Sequence, residues 1–231
     1  MPNYVTNNIR LTGGTPETIK KAINFLKSEH SDVDFNNIVE MPEALKHTEA
    51  GSRADQAWAY YQSKGLGNHS AIDKIFSYPW VKNEGIKTRE ELLDWFLKES
   101  PNIYAYGEEL YNLEKTYGCH DWYEWSCKYW GTKWNACDAC SDEIAGTAFF
   151  QTAWSDVGGL IQKFSALFPT LDVEYEYADE DYGCNLGRMT FKGGLMTDSY
   201  FPENGSEEAY ALAEEILGYP LDDEDDYDEE E

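Results

Sequence analysis

The chain has 231 residues, 42% hydrophobic and 15% aromatic, which is enough apolar material for one large domain or a domain with an insertion. It carries 18 Lys and Arg against 44 Asp and Glu, a net charge of −26, which disfavours contact with DNA, RNA or anionic membrane. The sequence has no apolar run of membrane-spanning length, no visible secretory signal, and an odd number of Cys that suits reduced thiols. We therefore expect a cytoplasmic protein.

The first predicted element is a strand followed by a helix. NYVTNNIRLTG alternates apolar and polar residues and ends at Gly13 and Gly14, as a strand and turn do. In the next segment Thr15 is placed to cap a helix, Pro16 takes its first position, and apolar residues recur at helical spacing over 19–26. The chain thus begins β-α.

Residues 43–118 do not continue this alternation of strand and helix. They are helix-leaning segments separated by Gly, Asn and Pro. In one of them, TREELLDWFLKES, Thr88 and Glu91 have the spacing of a capping box, followed by an apolar helical face. We expect a helical insertion within a sheet domain.

HDWYEWSCKYWGTKW, residues 120–134, is unusually rich in aromatic rings. Asp121 and Glu124 form a second capping box and Gly131 is placed as a helix C-cap, which predicts a short helix. TKWNACDAC after it alternates as a strand does. We expect the largest rings to fill the junction between sheet and insertion; the alternative is a stacking platform for bases or sugars. The rings concerned are Trp122, Trp125 and Trp134.

A second strand–helix–strand unit follows. The first segment, GTAFFQTAW, favours a strand. The second, SDVGGLIQKFSALFP, favours a helix that starts at a Ser/Asp cap and stops at Pro169. The third, LDVEYEYADE, favours a strand with one apolar face. A hairpin or edge strand is expected after residue 178, and a helix from Ser206 to about Leu217. Two β-α units predict an α+β fold, a ferredoxin-like split βαβ sandwich with an antiparallel sheet and helices on one face. The predicted parts are a core over 1–42 and 119–200, the insertion over 43–118, a C-terminal helix over 201–221 and a disordered acidic tail over 222–231.

The aromatic block and the segments after it resemble the YubB ferredoxin-like domain family, also described as Api92-like, of phages, prophages and plasmids. DWYEWSCKYWGTKWNA, the helix ending in FP, and LDVEYEYADEDYGCNLGRMTF carry the resemblance. It implies a ferredoxin-like fold without an iron–sulfur cluster, in a mobile-element accessory protein of a bacterial host, and it supplies no catalytic residues. The motif residues, to which we assign a structural role, are Asp121, Trp122, Tyr123, Trp125, Trp130, Gly131, Thr132, Lys133 and Trp134.

Few residues have the spacing of a catalytic or metal site. Cys137 and Cys140, with His120 nearby, could form a zinc site or a redox pair, but positions i and i+3 of a strand point to opposite faces, so free thiols are favoured. The acids at 179–181 could hold a divalent cation, although a solvated loop is favoured. No nucleotide-binding or hydrolase motif occurs. We therefore expect no enzyme activity, no cofactor and no metal.

The distribution of charge gives the leading functional hypothesis. Residues 172–231 hold two Lys or Arg against 21 Asp and Glu. Such a surface can compete with nucleic acid for the basic face of a host or defence-system protein, although the acidity also has a simple explanation in solubility. Direct nucleic-acid binding on an aromatic sheet face, with a basic patch at Arg10, Lys128 and Lys133, is one alternative, and a small-molecule enzyme is another. The candidate partner-binding acids are Asp172, Glu174, Glu176, Asp179, Glu180, Asp181, Glu207, Glu208, Glu214 and Glu215.

Overall fold

The computed structural model describes residues 3–220, which form two compact units. The sheet unit comprises residues 3–40 and 126–220, and the helical unit comprises Met41–Trp125. The predicted tail at 222–231 lies outside the described residues.

The helical unit extends beyond the predicted insertion over 43–118, at its C-terminal end by residues 119–125. One hydrogen bond joins this extension to the rest of the unit: the backbone N–H of Trp122 donates to the hydroxyl of Thr48 at 2.9 Å. Cys119 is also fully buried. The strand and helix patterns of the sequence show neither feature.

All six strands belong to one antiparallel sheet in the order β2-β3-β1-β4-β5-β6. The first four strands, with a helix after β1 and another after β3, have the ferredoxin-like topology that the sequence predicts. β5 and β6 add the predicted hairpin at the edge of β4. The strands are β1 Tyr4–Thr12, β2 Cys137–Asp142, β3 Thr147–Ala153, β4 Asp172–Asp179, β5 Leu186–Lys192 and β6 Leu195–Tyr200.

Ten α-helices occur among residues 3–220, with one 3-10 turn at Phe35–Asn37. None of these helices is long and apolar enough to cross a membrane. They are α1 Pro16–Leu26, α2 Glu43–Lys46, α3 Ser52–Leu66, α4 Ser70–Phe76, α5 Pro79–Asn83, α6 Arg89–Glu99, α7 Ile103–Tyr117, α8 Trp122–Tyr129, α9 Gly158–Leu167 and α10 Glu207–Leu217.

One face of the sheet forms the core of its unit with α1 and α9. Alternate residues of β1, among them Val5 and Ile9, are at most 2% exposed because side chains alternate across a strand. The helices meet on this face, where the rings of Phe25 and Phe164 lie 6.4 Å apart. Thr15 caps α1 as predicted, by accepting from the N–H of Thr18.

α10 packs on the opposite face, so the expectation of helices on one face holds only for α1 and α9. The register of β4 and β5 places Ala178 and Leu186 opposite each other on that second face. They pack with buried residues of α10, which carries its own apolar stripe. Helical periodicity shows that such a stripe exists, but it does not show which side of the sheet receives it. The α10 residues are Ala209, Leu212, Ala213 and Ile216.

The aromatic corner differs from its prediction in one respect. Gly131 has φ 89° and follows α8 as a C-cap does, but the next residues are bends and β2 begins only at Cys137. Side chains replace the strand pairing there. Thr132 exchanges hydrogen bonds with the backbone of Ala153, and Asn135 accepts from the N–H of Phe35 at 2.8 Å. Alternation in TKWNA therefore does not indicate a strand, because polar side chains satisfy the backbone instead.

The helical unit has a separate core, built mainly on α3 packed against α7. Gly107 of α7 allows the close approach: a Cβ there would overlap the carbonyl oxygen of Ala57 in α3. The Nε1 of Trp58 donates to Glu114 at 2.7 Å and joins the two helices at a second point. Thr88 caps α6 as predicted by accepting from the N–H of Glu91, whereas the carboxylate of Glu91 accepts from the N–H of Lys87 and not from that of Thr88.

Candidate functional site

The face of the sheet beside α10 is open over part of its area; we call this part the open face. Two rows of directly paired residues cross all six strands there. They line a groove of about 850 Å³, bounded at one side by Glu215 of α10. One row is Asp142, Thr147, Arg10, Glu174, Thr190 and Asp198, and the other is Cys140, Phe149, Asn8, Glu176, Arg188 and Tyr200.

Arg188 is the central cation of the open face and is already neutralised. Its Nε donates to Glu176 at 3.0 Å, and an Nη lies 2.6 Å from Glu215. Burial alone would lower the pKa of Arg188, but the two carboxylates raise it. Arg188 thus links the sheet to α10 and is not available to a ligand as a free charge.

The remaining charges on the open face are mainly negative. Glu174 and Asp198 are exposed, and within residues 3–220 neither takes part in an ion pair. Asp142 accepts from the N–H groups of the turn after β2, and these bonds lower its pKa. The groove holds five carboxylates and two Arg, counting Arg10, so it favours a cationic ligand.

The structure distributes the predicted acids among different roles. Asp179 is 5% exposed and accepts from Asn185 at 2.9 Å, so its role is structural rather than partner-binding. Asp172 pairs with Lys192 at 2.8 Å. Glu174, Glu176 and Glu215 come together on the open face. The other predicted acids are exposed outside the groove, namely Glu180, Asp181, Glu207, Glu208 and Glu214.

Most of the motif residues are buried or half-buried, while Tyr123 and Gly131 are exposed. Trp125 is 3% and Trp130 5% exposed, while Trp122 and Trp134 are half-buried. Asp121 accepts from the N–H of Glu124 at 2.8 Å, which confirms the predicted cap. Tyr123 is 39% exposed on α8.

The ammonium of Lys133 lies close to two indole rings of the sheet unit. Its ammonium is 4.5 Å from the ring centre of Trp134 and 4.9 Å from that of Trp154. Trp154 is 46% exposed and has φ 65°, a backbone conformation rare for a bulky residue. The two tryptophans lie at the ends of strands and not on the open face, whose rings are Phe149 and Tyr200.

A bulge in β2 changes the expected placement of the two cysteines. The register pairs Cys137 with Gln151 and Cys140 with Phe149, and Asp138 takes φ 48° between them. Because their partners are two residues apart on β3, both cysteines lie on the same face, where a regular strand would separate them. Among residues 3–220, no group of His, Cys, Asp and Glu is arranged to hold a metal ion.

Several residues of the open face were not predicted as site residues. Arg188, Asp198 and Tyr200 lie on the hairpin β5–β6, and their alternation predicts strands without showing which other strands they join. Pairing between strands distant in sequence decides which charges meet, and a single sequence does not contain that information directly.

Comparison with known proteins gives a family for the C-terminal part of the chain. Residues 129–221 match a family model described as "Ferredoxin-like domain in Api92-like protein". No curated protein matches. A solved structure, the protein api92 from Yersinia pseudotuberculosis, is similar at 11% identity over 89% of this chain and 100% of that chain, with a TM-score of 0.35, too distant to support an argument. Residues 129–221, which hold β2 to β6 with α9 and α10, are thus similar to the ferredoxin-like domains of Api92-like proteins.

Proposed function

We propose that the protein is a non-enzymatic interaction protein whose acidic open face binds a basic surface of another protein. The observation that carries this proposal is the groove of about 850 Å³ with five carboxylates and two Arg, one of the two already paired. A surface of that charge attracts a Lys- and Arg-rich partner and repels phosphates.

The partner that best fits this surface is a nucleic-acid-binding protein. Its basic cleft has evolved for a dense line of phosphates, and exposed carboxylates can occupy it in their place. In its specific form, the proposal is an accessory inhibitor encoded by a phage or plasmid, acting in the bacterial cytoplasm on a host or defence-system protein. The sheet unit has the stronger charge imbalance of the two, with nine Lys and Arg against 21 Asp and Glu in residues 3–40 and 126–220.

The test measures binding of the full chain to a panel of purified bacterial nucleic-acid-binding proteins by interferometry. The double variant Glu174→Gln, Asp198→Asn removes two exposed carboxylates of the open face. Each exposed ion pair contributes about 0.2–1 kcal/mol, so we expect roughly 2- to 30-fold weaker binding. Duplex DNA should compete, and added salt should weaken binding.

The matched control is Glu84→Gln, Glu99→Gln, which makes the same change of net charge on exposed positions of the helical unit. It should bind like the unaltered chain. If no protein of the panel binds at low salt, or if both double variants lose affinity equally, the open face is not the binding surface.

The second candidate is single-stranded nucleic-acid binding, and the indole pair around Lys133 is the observation that favours it. Aromatic rings beside a cation are the elements on which unpaired bases stack. This candidate predicts that an oligonucleotide quenches the tryptophan fluorescence of the protein and that Trp154→Ala loses the quenching. It also predicts that none of the basic proteins of the panel binds.

A further inference from the structure

A separate cavity lies within the helical unit. It has a volume of about 280 Å³ and is formed by α3, α4, the start of α5 and the turn after α7. Pockets for drug-sized ligands measure roughly 300–1,000 Å³, so this smaller cavity suits a single ring or a fused pair. Its carbon-rich wall comprises Trp58, Ala59, Ala71, Ile75, Tyr78 and Trp80.

The aromatic wall is held in place by contacts outside the cavity. The hydrogen bond to Glu114 fixes the indole of Trp58, and the ring of Trp80 lies 5.5 Å from that of Trp95. Rings held in this way present flat surfaces without losing side-chain freedom on binding.

His120 supplies the polar part of the wall. Its ring stacks on Trp58 with centres 5.8 Å apart, and its Nδ1 lies 2.8 Å from a carboxylate oxygen of Glu124. Its Nε2 is buried and has no hydrogen-bond partner within residues 3–220. Because leaving a buried polar nitrogen unpaired is costly, this atom marks a position for an external acceptor.

The surrounding charges favour the protonated ring of His120, in which that nitrogen is a donor. Burial alone would lower the pKa of His120, but the carboxylates of Asp55, Asp121 and Glu124 outweigh burial and raise it. The Nε2 lies 3.5 Å from a carboxylate oxygen of Asp121 and 3.7 Å from one of Asp55. Asp55 is partly exposed and lines the cavity, so its carboxylate can accept a hydrogen bond from a ligand beside the Nε2 of His120.

We propose that this cavity binds a flat nitrogen heteroaromatic or aromatic carboxamide that is neutral or cationic. An acceptor atom of the ligand accepts a hydrogen bond from His120 Nε2, and an adjacent N–H of the ligand donates to Asp55. The ring packs against the indole of Trp58. The three carboxylates around His120 outnumber the one lysine that lines the cavity, Lys74, and they disfavour ligands that carry a phosphate close to the ring.

This inference does not depend on the proposed function, since it concerns the other compact unit and a different class of ligand. The probes are nicotinamide and adenosine, which have an acceptor next to an amino group, and adenosine monophosphate as their anionic counterpart. Binding to the full chain is measured by saturation-transfer NMR and by the nitrogen shifts of the His120 ring.

We expect at least one neutral probe to bind and to shift the Nε2 resonance of His120, with the monophosphate weaker. His120→Gln should weaken binding about tenfold or more, the loss expected for a hydrogen bond to a charged group. Ala71→Phe should abolish binding by filling the cavity. The controls are His30→Gln and Ala105→Phe, both at exposed positions, which should bind like the unaltered chain.

The inference is overturned if neither neutral probe binds at millimolar concentration, or if binding leaves the His120 ring unchanged. Equal binding of adenosine and its monophosphate would contradict the predicted exclusion of phosphate. If Ala71→Phe does not fold, as judged by near-UV circular dichroism, His120→Gln and the ring shifts decide the question.

Discussion

Tyr175 connects three parts of the sheet unit through its hydroxyl group. The group donates to Asn7 Oδ1 at 2.6 Å and accepts from the N–H of Val157 at 2.9 Å. Asn7 in turn donates to Thr152 at 2.9 Å, so a polar cluster with little exposed surface joins β1, β3, β4 and the start of α9. Burial holds the pKa of Tyr175 well above its usual value, so the hydroxyl stays protonated as a donor.

We expect Tyr175→Phe to lower the free energy of unfolding by about 1–3 kcal/mol, because it leaves buried groups of Asn7 and Val157 unsatisfied. Chemical denaturation measures the change. The control is Tyr177→Phe: that ring stacks 5.8 Å from Tyr175, but its hydroxyl has no hydrogen bond within the described chain. An equal loss in both variants would mean that packing, and not the polar cluster, accounts for the effect.

His120 gives the stability of the helical unit a dependence on pH. A raised pKa in the folded state means that protonation of His120 stabilises the fold below its ordinary value of about 6.5, and that this gain is lost as pH rises through the raised value. The deficit of His120→Gln in free energy of unfolding should therefore be largest at low pH and should shrink towards alkaline pH. Asp55→Asn removes one of the carboxylates that raise the pKa of His120, so the stabilising effect of protonation should end at a lower pH. A deficit of His120→Gln that grew with pH would contradict the assignment.

Helix α7 approaches α3 closely because residue 107 has no side chain. A Cβ there would meet both the carbonyl of Ala57 and the side chain of Tyr61, so the helices must separate to accommodate it. We expect Gly107→Ala to destabilise the protein by about 1–3 kcal/mol despite the better helix propensity of Ala. Thermal unfolding monitored by circular dichroism measures the change.

Gly159 of α9 provides the matched control for this substitution. A Cβ at Gly159 meets nothing within 4 Å, so Gly159→Ala gains helix propensity without overlap. Gly107→Ala should therefore lower the midpoint temperature of thermal unfolding, and Gly159→Ala should raise it. Destabilisation by both would show that the close approach of the helices is not the cause.

Local sequence patterns predict the helices and strands of this protein better than they predict which of these elements pair with each other. Thr15, Thr88 and Asp121 each cap the helix that the sequence predicts, because a cap depends only on the next few residues. The segment 132–136 is not the predicted strand, because Thr132 and Asn135 bond to residues distant in sequence. The acids of the open face could be named from composition, but their position around Arg188 required the register of β4 with β5.

At the scale of the whole molecule, the two units differ in net charge and in architecture. The helical unit has nine Lys and Arg against 14 Asp and Glu in Met41–Trp125, a milder imbalance than that of the sheet unit. The cavity beside His120 and the acidic groove therefore belong to units of different charge as well as different architecture. Composition revealed the acidity, and only the fold shows which surface carries it.

The nested arrangement of the chain has a consequence for synthesis. Strand β1 pairs with β3 and β4, whose residues are more than 130 positions later in the chain. The helical unit is continuous in sequence, so its contacts can form while β1 has no sheet partner to join. Pairing of β1 with β3 and β4 closes a long loop of chain, and closing a long loop slows folding. A nascent chain can therefore form the contacts of the helical unit before β1 pairs with these strands.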